Sequence, residues 1–522
     1  MFKNQALTDF TIEKNRAAMR RALDDLERSL RTAPLKAFPI VEGQELTTAV
    51  SFRREDPSTE SRAVALTSFA GVAEVERALV GLSRGAAAWR STAFSRRAEI
   101  VRRAAALMRE RHFELCAVIN MEAGKPWREA DADVAEAIDF CEFYADEMLR
   151  LGPPFKTMEI AGEENHYFYQ PRGICAVISP WNFPLAIACG MAAAALVTGN
   201  CVVLKPAEQT SLTAYYLAKI FLDAGIPSNA FAFLPGWGEE VGQALVESPL
   251  VDMICFTGSK AVGLQIIRSA AQVRADQQSV KKVVAELGGK NAIIVDDDAD
   301  LDEAIKGVLY SAFGFAGQKC SACSRLIVVG SAYEPFLARL KEAAADIISG
   351  PASDPATLLG PVIDRESRDR ILQTIARAQA RHTALFVGTP HGGGYFVPAA
   401  IFRDVAPDAE IWREEIFGPV LAACQAENFE QALKLANDSQ YALTGAVFSR
   451  SPAHIEAARN GFRVGNLYIN RGCTGALVGR QPFGGFKMSG VGSKAGGVDY
   501  LVQFMEPRTV TENTMRRGFA PE

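Results

Sequence analysis

Between residues 174 and 287, short apolar runs rich in β-branched residues return about every 25 residues, a spacing that constrains the fold more than any other feature of the chain. They are ICAVIS (174–179), CVVLK (201–205), FAFLPG (231–236), DMICFTG (252–258) and KKVVAEL (281–287). Each of the first four is followed by a segment of helix length. Strands that are apolar throughout need cover on both faces, and helices between them supply it, so the pattern predicts βαβ units and a parallel sheet. A second series follows: NAIIVDD (291–297), RLIVVG (325–330), FVPAAIF (396–402), PVLAACQA (419–426), LTGAVFS (443–449) and GNLYIN (465–470). Two such series predict an α/β protein with two Rossmann-like domains joined near ELGGK. Ahead of them, helical periodicity covers 12–31, 72–91, 95–122 and 128–150. The tail YLVQFMEPRTVTEN (500–513) ends in a β-branched run that would be a marginal strand alone, so it must pair with something. TPHGGGYF (389–396) reads as a surface turn.

Composition narrows the class. With 522 residues the core needs no staple, and 56 Lys and Arg against 61 Asp and Glu leave a net charge of −5. No basic excess exists to neutralise a phosphate backbone, which argues against nucleic-acid partners. Ten cysteines are scattered, most of them inside apolar runs, as expected of free thiols in a reducing, cytoplasmic setting. The opening residues read as a charged helix with no signal-type apolar core, and their acidic residues disfavour a mitochondrial presequence. Ile174 to Leu204 carries no charge, but Pro180, Asn182, Pro184, Gly199 and Asn200 interrupt it. Its longest clean run, Leu185 to Val197, would reach about 20 Å as helix against a bilayer core of ~30 Å, so no membrane partner is expected.

Several residues could do chemistry. Cys320, in GFAGQKCSACSR (314–325), falls on a loop before a strand. Lys319 and Arg325 make its neighbourhood positive, a setting that would lower a thiol's pKa and activate it as a nucleophile; the alternative is a packed loop cysteine. Cys323 completes a C-x-x-C, but no second ligand pair exists, so no metal is expected. The five histidines (112, 166, 382, 391 and 454) lie in polar contexts away from the loop–strand junctions. Glu286 ends an apolar strand before two glycines, where burial would raise its pKa towards that of a general base; the alternative is a salt-bridged carboxylate. FTGSKAVG (256–263) follows a strand and opens a helix, so backbone N–H groups near Gly258 could hold a phosphate. In LKPAE (204–208), Lys205 ends a strand and Glu208 could bind ribose hydroxyls, which disfavours a 2′-phosphate. Asn182, in ISPWNFP (178–184), offers an amide fixed between prolines that could stabilise an oxyanion.

PWNFP, KPAE, FTGS, ELGGK, GQKCSA, EEIFGP (414–419) and QPFGGFKMSG (481–490) occur in this order over more than 300 residues. The sequence resembles the aldehyde dehydrogenase superfamily from roughly residue 60 onward. It is most similar to the branch that oxidises glutamate γ-semialdehyde, through EAGKPWREADADVAEAIDFCEFYA (122–145), FGFAGQKCSACSRLIV (313–328), NRGCTGALVGRQPFGGFKMSG (470–490) and GSKAGGVDYLVQF (492–504). The resemblance implies Cys320 as nucleophile, Asn182 with the Cys320 N–H as oxyanion donors, and Glu286 as the base that activates water. It implies NAD as cofactor, with Ser179 among the cofactor-binding residues, Lys205 and Glu208 on the adenosine ribose, Gly258 and Ser259 at the pyrophosphate, Glu415 on the nicotinamide ribose, and Phe417 and Trp181 near the nicotinamide. It implies Ser321 and the amides of Gly475 and Ala476 as a substrate-carboxylate site. Residues 1–147 and 172–287 would form the NAD-binding domain, 288–487 the catalytic domain, and 148–171 with 488–522 a small β oligomerisation element of at least a homodimer. A proline dehydrogenase could be a transient partner. Residues 35–70 lack the family's usual Gly-Gly-x-Trp and Asn-Pro signals. Other readings are a dehydrogenase for another semialdehyde or an aliphatic aldehyde, a catalytically silent structural or binding member, and acyl transfer to coenzyme A; Glu286, placed to direct water, disfavours the last.

Overall fold

The first series of apolar runs becomes five parallel strands of an eight-stranded sheet in a computed structural model that describes residues 2–515. The strand order is Gly490–Val491, Lys282–Glu286, Met253–Thr257, Ile174–Ile178, Cys201–Lys205, Phe231–Phe233, Ile40–Val41 and Gln44–Glu45. Ile174–Ile178 and Cys201–Lys205 are buried at every residue, as strands covered on both faces must be. Ile174–Ile178 pairs in parallel with Cys201–Lys205 on one side and Met253–Thr257 on the other. Chain order therefore reverses between Ile174–Ile178 and Met253–Thr257, which makes a crevice at their carboxyl ends, where ligands of open α/β sheets bind.

The charge-free stretch supplies the helix Ala186–Val197, buried at every position except Ile187. Its small residues allow close approach: a Cβ on Gly190 would meet the Phe140 ring at 2.9 Å. No helix among the described residues is long and apolar enough to cross a membrane.

The second series builds a seven-stranded sheet in the order Thr383–Val387, Ala400–Arg403, Val420–Ala426, Cys323–Val329, Asn291–Val295, Thr444–Phe448 and Asn466–Ile469. Only the edge strand Thr383–Val387 runs antiparallel. Each sheet carries its own hydrophobic core. Leu287 to Lys290 connects the end of Lys282–Glu286 to the start of Asn291–Val295, which brings the carboxyl edge of one sheet to the amino edge of the other.

Two elements differ from the periodicity. The helix expected over 95–122 is broken at Arg111 (φ −101°, ψ 19°) into Phe94–Glu110 and His112–Ala123. The second piece is buried at every residue from Leu115 to Ala123, so it turns into the core instead of continuing along the surface. The strand expected over 396–402 begins only at Ala400. Pro398 has no N–H for a ladder, and Tyr395 bonds instead to Pro57 and Val362 at 2.9 Å each.

Residues 35–69, without family signals, form short strands and the pair Val50–Asp56 with Thr59–Phe69. The tail finds its partner: Met505–Asn513 lies antiparallel along Glu163–Pro171, with Phe155–Lys156 on the other flank. The stretch 488–504 does not join that small sheet. Gly490–Val491 edges the first sheet, and Tyr500, Leu501 and Phe504 enter its core. Residues 516–522, assigned from sequence to the oligomerisation element, lie outside the described residues.

Candidate active site

The loop before Cys323–Val329 holds Cys320 where the two sheets meet, and it arrives there through strained backbone. Phe315, Ala316 and Gly317 take φ of 52°, 53° and 68°, a left-handed turn that only the glycine adopts freely. The loop is then fastened from behind. Asn291 Nδ2 donates to the carbonyls of Cys320 (2.7 Å) and Ala322 (2.9 Å), while Thr444 Oγ1 and the Cys473 thiol donate to the Ser321 carbonyl at 3.2 and 3.3 Å. Both glycines of ELGGK are explained by close approach: a Cβ on Gly289 would sit 2.4 Å from the Cys320 carbonyl, and one on Gly288 would sit 2.0 Å from Glu415 Oε2.

A cavity of about 330 Å³ opens at this junction. Cys320, Ser321, Glu286, Gly475 and Ala476 line it together, although 190 residues separate the first and last of them in sequence. Gly475 has φ 75°, and neither its N–H nor that of Ala476 has an acceptor among the described residues. Two adjacent amides without acceptors are the kind of donor pair from which anion-binding nests are built. None of the five histidines lines it.

The electrostatics correct the sequence reading of Cys320. The two nearby cations are engaged elsewhere: Lys319 Nζ lies 2.7 Å from Glu129 Oε1, and Arg325 donates to the carbonyls of Lys290, Leu435 and Ala436. Burial, reinforced by the Glu286 and Glu415 carboxylates, pushes the Cys320 thiol far up instead of lowering it. Glu286 does follow expectation: burial raises it to about 8, against a small opposing pull from Lys494.

Asn182 is buried but is not among the cavity-lining residues. Its Nδ2 donates one hydrogen to the Gln318 carbonyl at 3.1 Å, two residues before Cys320, and retains a second. The Cys320 N–H has no acceptor among the described residues. The Asn182 turn is positioned by a pair that the sequence reading did not single out. Lys125, fully buried, donates to Asp133 Oδ2 and to the Asn182 carbonyl, both at 2.9 Å, and lies 3.7 Å from the centre of the Phe183 ring. The other oxygen of Asp133 accepts the Ala186 N–H at the start of the next helix (2.7 Å). EAGKPWREADADV was visible as a motif, but nothing local indicates that its lysine and aspartate meet a turn some 50 residues away. Glu136, also missed, lines the cavity as a carboxyl raised to about 8 by burial and by Asp133.

The other sequence-predicted residues lie at strand ends around the switch point and on the loop of residues 414–419. The Ser179 hydroxyl is buried there without a partner, an orphan that a ligand would satisfy. Ser179 N–H donates to the Lys205 carbonyl (3.1 Å), and Lys205 Nζ lies 2.7 Å from Glu208 Oε1. The Gly258 N–H is already used by the Glu286 carbonyl (3.1 Å), and Ser259 caps the helix Lys260–Ala270 through Val262 N–H. Amide donors for a phosphate are therefore left at the helix start and not at Gly258. Glu415 Oε1 accepts the Gly289 N–H at 2.8 Å, and the rings of Trp181 and Phe417 meet edge to face at 5.4 Å. Phe417 holds φ 54° to present its ring.

A loop cysteine and a buried carboxyl on one cavity, beside the switch-point crevice of a parallel sheet, fit an aldehyde-oxidising class of site. The chain belongs to the aldehyde dehydrogenase family, whose model matches residues 45–510. It is 46% identical over 513 residues to the 1-pyrroline-5-carboxylate dehydrogenase of Geobacillus thermodenitrificans, covering 98% of this chain and 99% of that one. Among solved structures it matches a Thermus 1-pyrroline-5-carboxylate dehydrogenase with bound NAD (TM-score 0.96, 44% identity, 98% and 99% covered). It also matches proline utilization A of Bdellovibrio bacteriovorus (TM-score 0.98, 50% identity), covering all of this chain and 54% of that longer one.

Proposed function

We propose that the chain oxidises L-glutamate 5-semialdehyde, in equilibrium with 1-pyrroline-5-carboxylate, to L-glutamate with NAD as acceptor, the second step of proline breakdown. The observation that carries this is the single cavity shared by Cys320, Glu286, Ser321 and the free amides of Gly475 and Ala476. It offers a nucleophile at one place and a carboxylate nest at another, as a short aldehyde with an acid at its far end requires. Glu136, which lines the same cavity, is a carboxyl raised to about 8, and an α-ammonium group beside it would favour its ionised form. The relatives' names agree.

In this reading the Cys320 thiol, held protonated by its surroundings, gives its proton to solvent water as the sulfur bonds to the aldehyde carbon, and the second Asn182 amide hydrogen and the Cys320 N–H receive the oxyanion. Ser179, Lys205, Glu208, the Lys260–Ala270 helix start and Glu415 fit NAD in the switch-point crevice, where Glu208 favours a free ribose hydroxyl over a 2′-phosphate. Bound there, NAD supplies the acceptor for the hydride that leaves the same carbon. Cys320 then carries a thioester. Glu286, ionised, takes a proton from water as the water oxygen bonds to the acyl carbon; the carbon–sulfur bond breaks and glutamate departs.

The residues around the first sheet would form the NAD-binding domain and those around the second the catalytic domain, a division that the two separate cores support. The exposed edge of Met505–Asn513 would pair between copies in a homodimer. We assign the chain to the cytoplasm, where its ten free cysteines stay reduced, and proline dehydrogenase is the partner class that would supply its substrate. The test is kcat/KM across glutamate 5-semialdehyde, succinate semialdehyde and hexanal: glutamate semialdehyde should lead by more than about tenfold, and a lead of that size for an aldehyde lacking the amino-acid end overturns the substrate reading.

A further inference from the structure

Residues 2–10 run without regular structure along the long helix Trp127–Leu151 and are tied down at specific points. The Asn4 side-chain amide donates one hydrogen to Asp139 Oδ2 and the other to the Val478 carbonyl, each at 2.8 Å. The Gln5 N–H donates to the second oxygen of Asp139 at 2.6 Å, and the Thr8 N–H to Asp131 at 2.8 Å. Phe2 packs edge-on against Phe143 at 5.3 Å, and a Cβ on Gly479 would meet it at 3.1 Å. This segment forms part of the cavity itself: Gln5, Leu7, Asp139 and Val478 line the same cavity as Cys320.

The Val478 carbonyl lies two residues beyond Ala476. The loop of residues 471–480 has no regular structure; it is tied at Cys473, whose N–H donates to Ser311 Oγ (3.1 Å) and whose thiol donates to the Ser321 carbonyl (3.3 Å), and at Leu477, whose N–H donates to Gln481 Oε1 (3.1 Å). Gly475 and Ala476 lie between these two ties, and the Asn4 bridge holds the next residue, Val478. Arg471 folds back onto the carbonyls of Thr474 and Gly475, and the Gly479 N–H reaches Gly496 at 2.9 Å. An asparagine is well chosen for the bridge, because one nitrogen must give two hydrogens to a carboxylate and a carbonyl. Alanine supplies neither hydrogen, and aspartate would set a second carboxylate against Asp139.

We propose that Asn4 is a positioning residue: by bridging Asp139 to Val478 it fixes the loop that aims the Gly475 and Ala476 amides at the substrate carboxylate, while residues 2–10 close the outer wall of the cavity. The carboxylate part of this statement rests on the substrate reading above. It makes Asn4 a determinant of affinity for acid-bearing aldehydes, not of the chemical step.

The test is Asn4→Ala, checked for parental far-ultraviolet circular dichroism. KM for glutamate 5-semialdehyde should rise about fivefold to tenfold, the effect of loosening hydrogen-bond donors to a charged group. Its kcat, and both constants for hexanal, should stay within about twofold, because the bridge acts on the amides that meet the carboxylate and hexanal has none. Amide hydrogen exchange at Gly479, Arg480 and Gln481, whose N–H groups are bonded in the parent, should accelerate. An unchanged KM for the semialdehyde, or a parallel rise for both aldehydes, overturns the positioning role. Should the parent protein accept hexanal but not the semialdehyde, the substrate reading falls by itself. Exchange then decides the bridge: acceleration at 479–481 upholds it and parental exchange overturns it.

Discussion

Replacing Glu286 by glutamine separates two effects that its burial imposes together. The carboxyl ends the strand Lys282–Glu286, and loss of water raises it from an ordinary 4.5 to about 8. With that pKa, about one tenth of the protein carries the ionised form at pH 7, half at pH 8 and nine tenths at pH 9. A general base acts only when ionised, so thioester hydrolysis in the parent should speed up about fivefold from pH 7 to 8, about tenfold from pH 7 to 9, and then level off. The same carboxylate is, after burial, the largest influence holding the Cys320 proton in place, with Glu415 next. Glutamine keeps the volume and removes the charge. Glu286→Gln should therefore lose about 10²- to 10⁴-fold in steady-state turnover, the usual contribution of a positioned base. It should still release one NADH per site in a rapid burst, because acylation precedes the step that needs the base. Iodoacetamide should alkylate Cys320 in the variant faster than in the parent at about pH 9, where the parent's carboxyl is charged, and equally fast at about pH 6, where it is neutral. Stopped-flow NADH absorbance and mass spectrometry of the Cys320 peptide read both effects. Slower alkylation together with loss of the burst would refute the reasoning, since Glu286 would then be the base for the thiol and not for water.

Two further changes test the frame around the site. In Gly288→Ala the new carbon would lie 2.0 Å from Glu415 Oε2, so the carboxylate must swing out and give up the Gly289 N–H; NAD affinity measured by titration calorimetry should fall about tenfold, the cost of about 1.4 kcal/mol of lost hydrogen bonding, and unchanged affinity would remove Glu415 from the ribose. Lys125→Met leaves Asp133 buried without its cation, which should cost about 3 to 5 kcal/mol in urea unfolding. Adding Asp133→Leu should restore much of that stability, because a buried ion pair is often replaceable by apolar residues, while turnover stays low because the Asn182 carbonyl and the Ala186 N–H have both lost their partner.

How much of this was legible in the sequence depends on the range over which each feature is determined. The strands were legible because burial on both faces writes itself into consecutive residues such as ICAVI and CVVLK, and the strand ends that carry Ser179, Lys205 and Gly258 came with them. Cys320 and Glu286 were legible as loop and strand-end residues for the same reason. The charge around Cys320 was not. Lys319 and Arg325 are its neighbours in sequence, yet their partners are Glu129, 190 residues away, and carbonyls up to 113 residues away, so adjacency along the chain said nothing about the field at the sulfur. The Arg111 break escaped a periodicity reading because the following run, LCAVI, is apolar on all sides and has no face to lose by turning inward. ELGGK shows the boundary most sharply. As a string it marks the family, but the reason for its glycines lies in two contacts across the fold, with a carboxylate more than 120 residues away and with the carbonyl of Cys320. A side chain at either position would displace one of the groups that the chemistry needs, so the motif records a three-dimensional clearance that no local pattern can express.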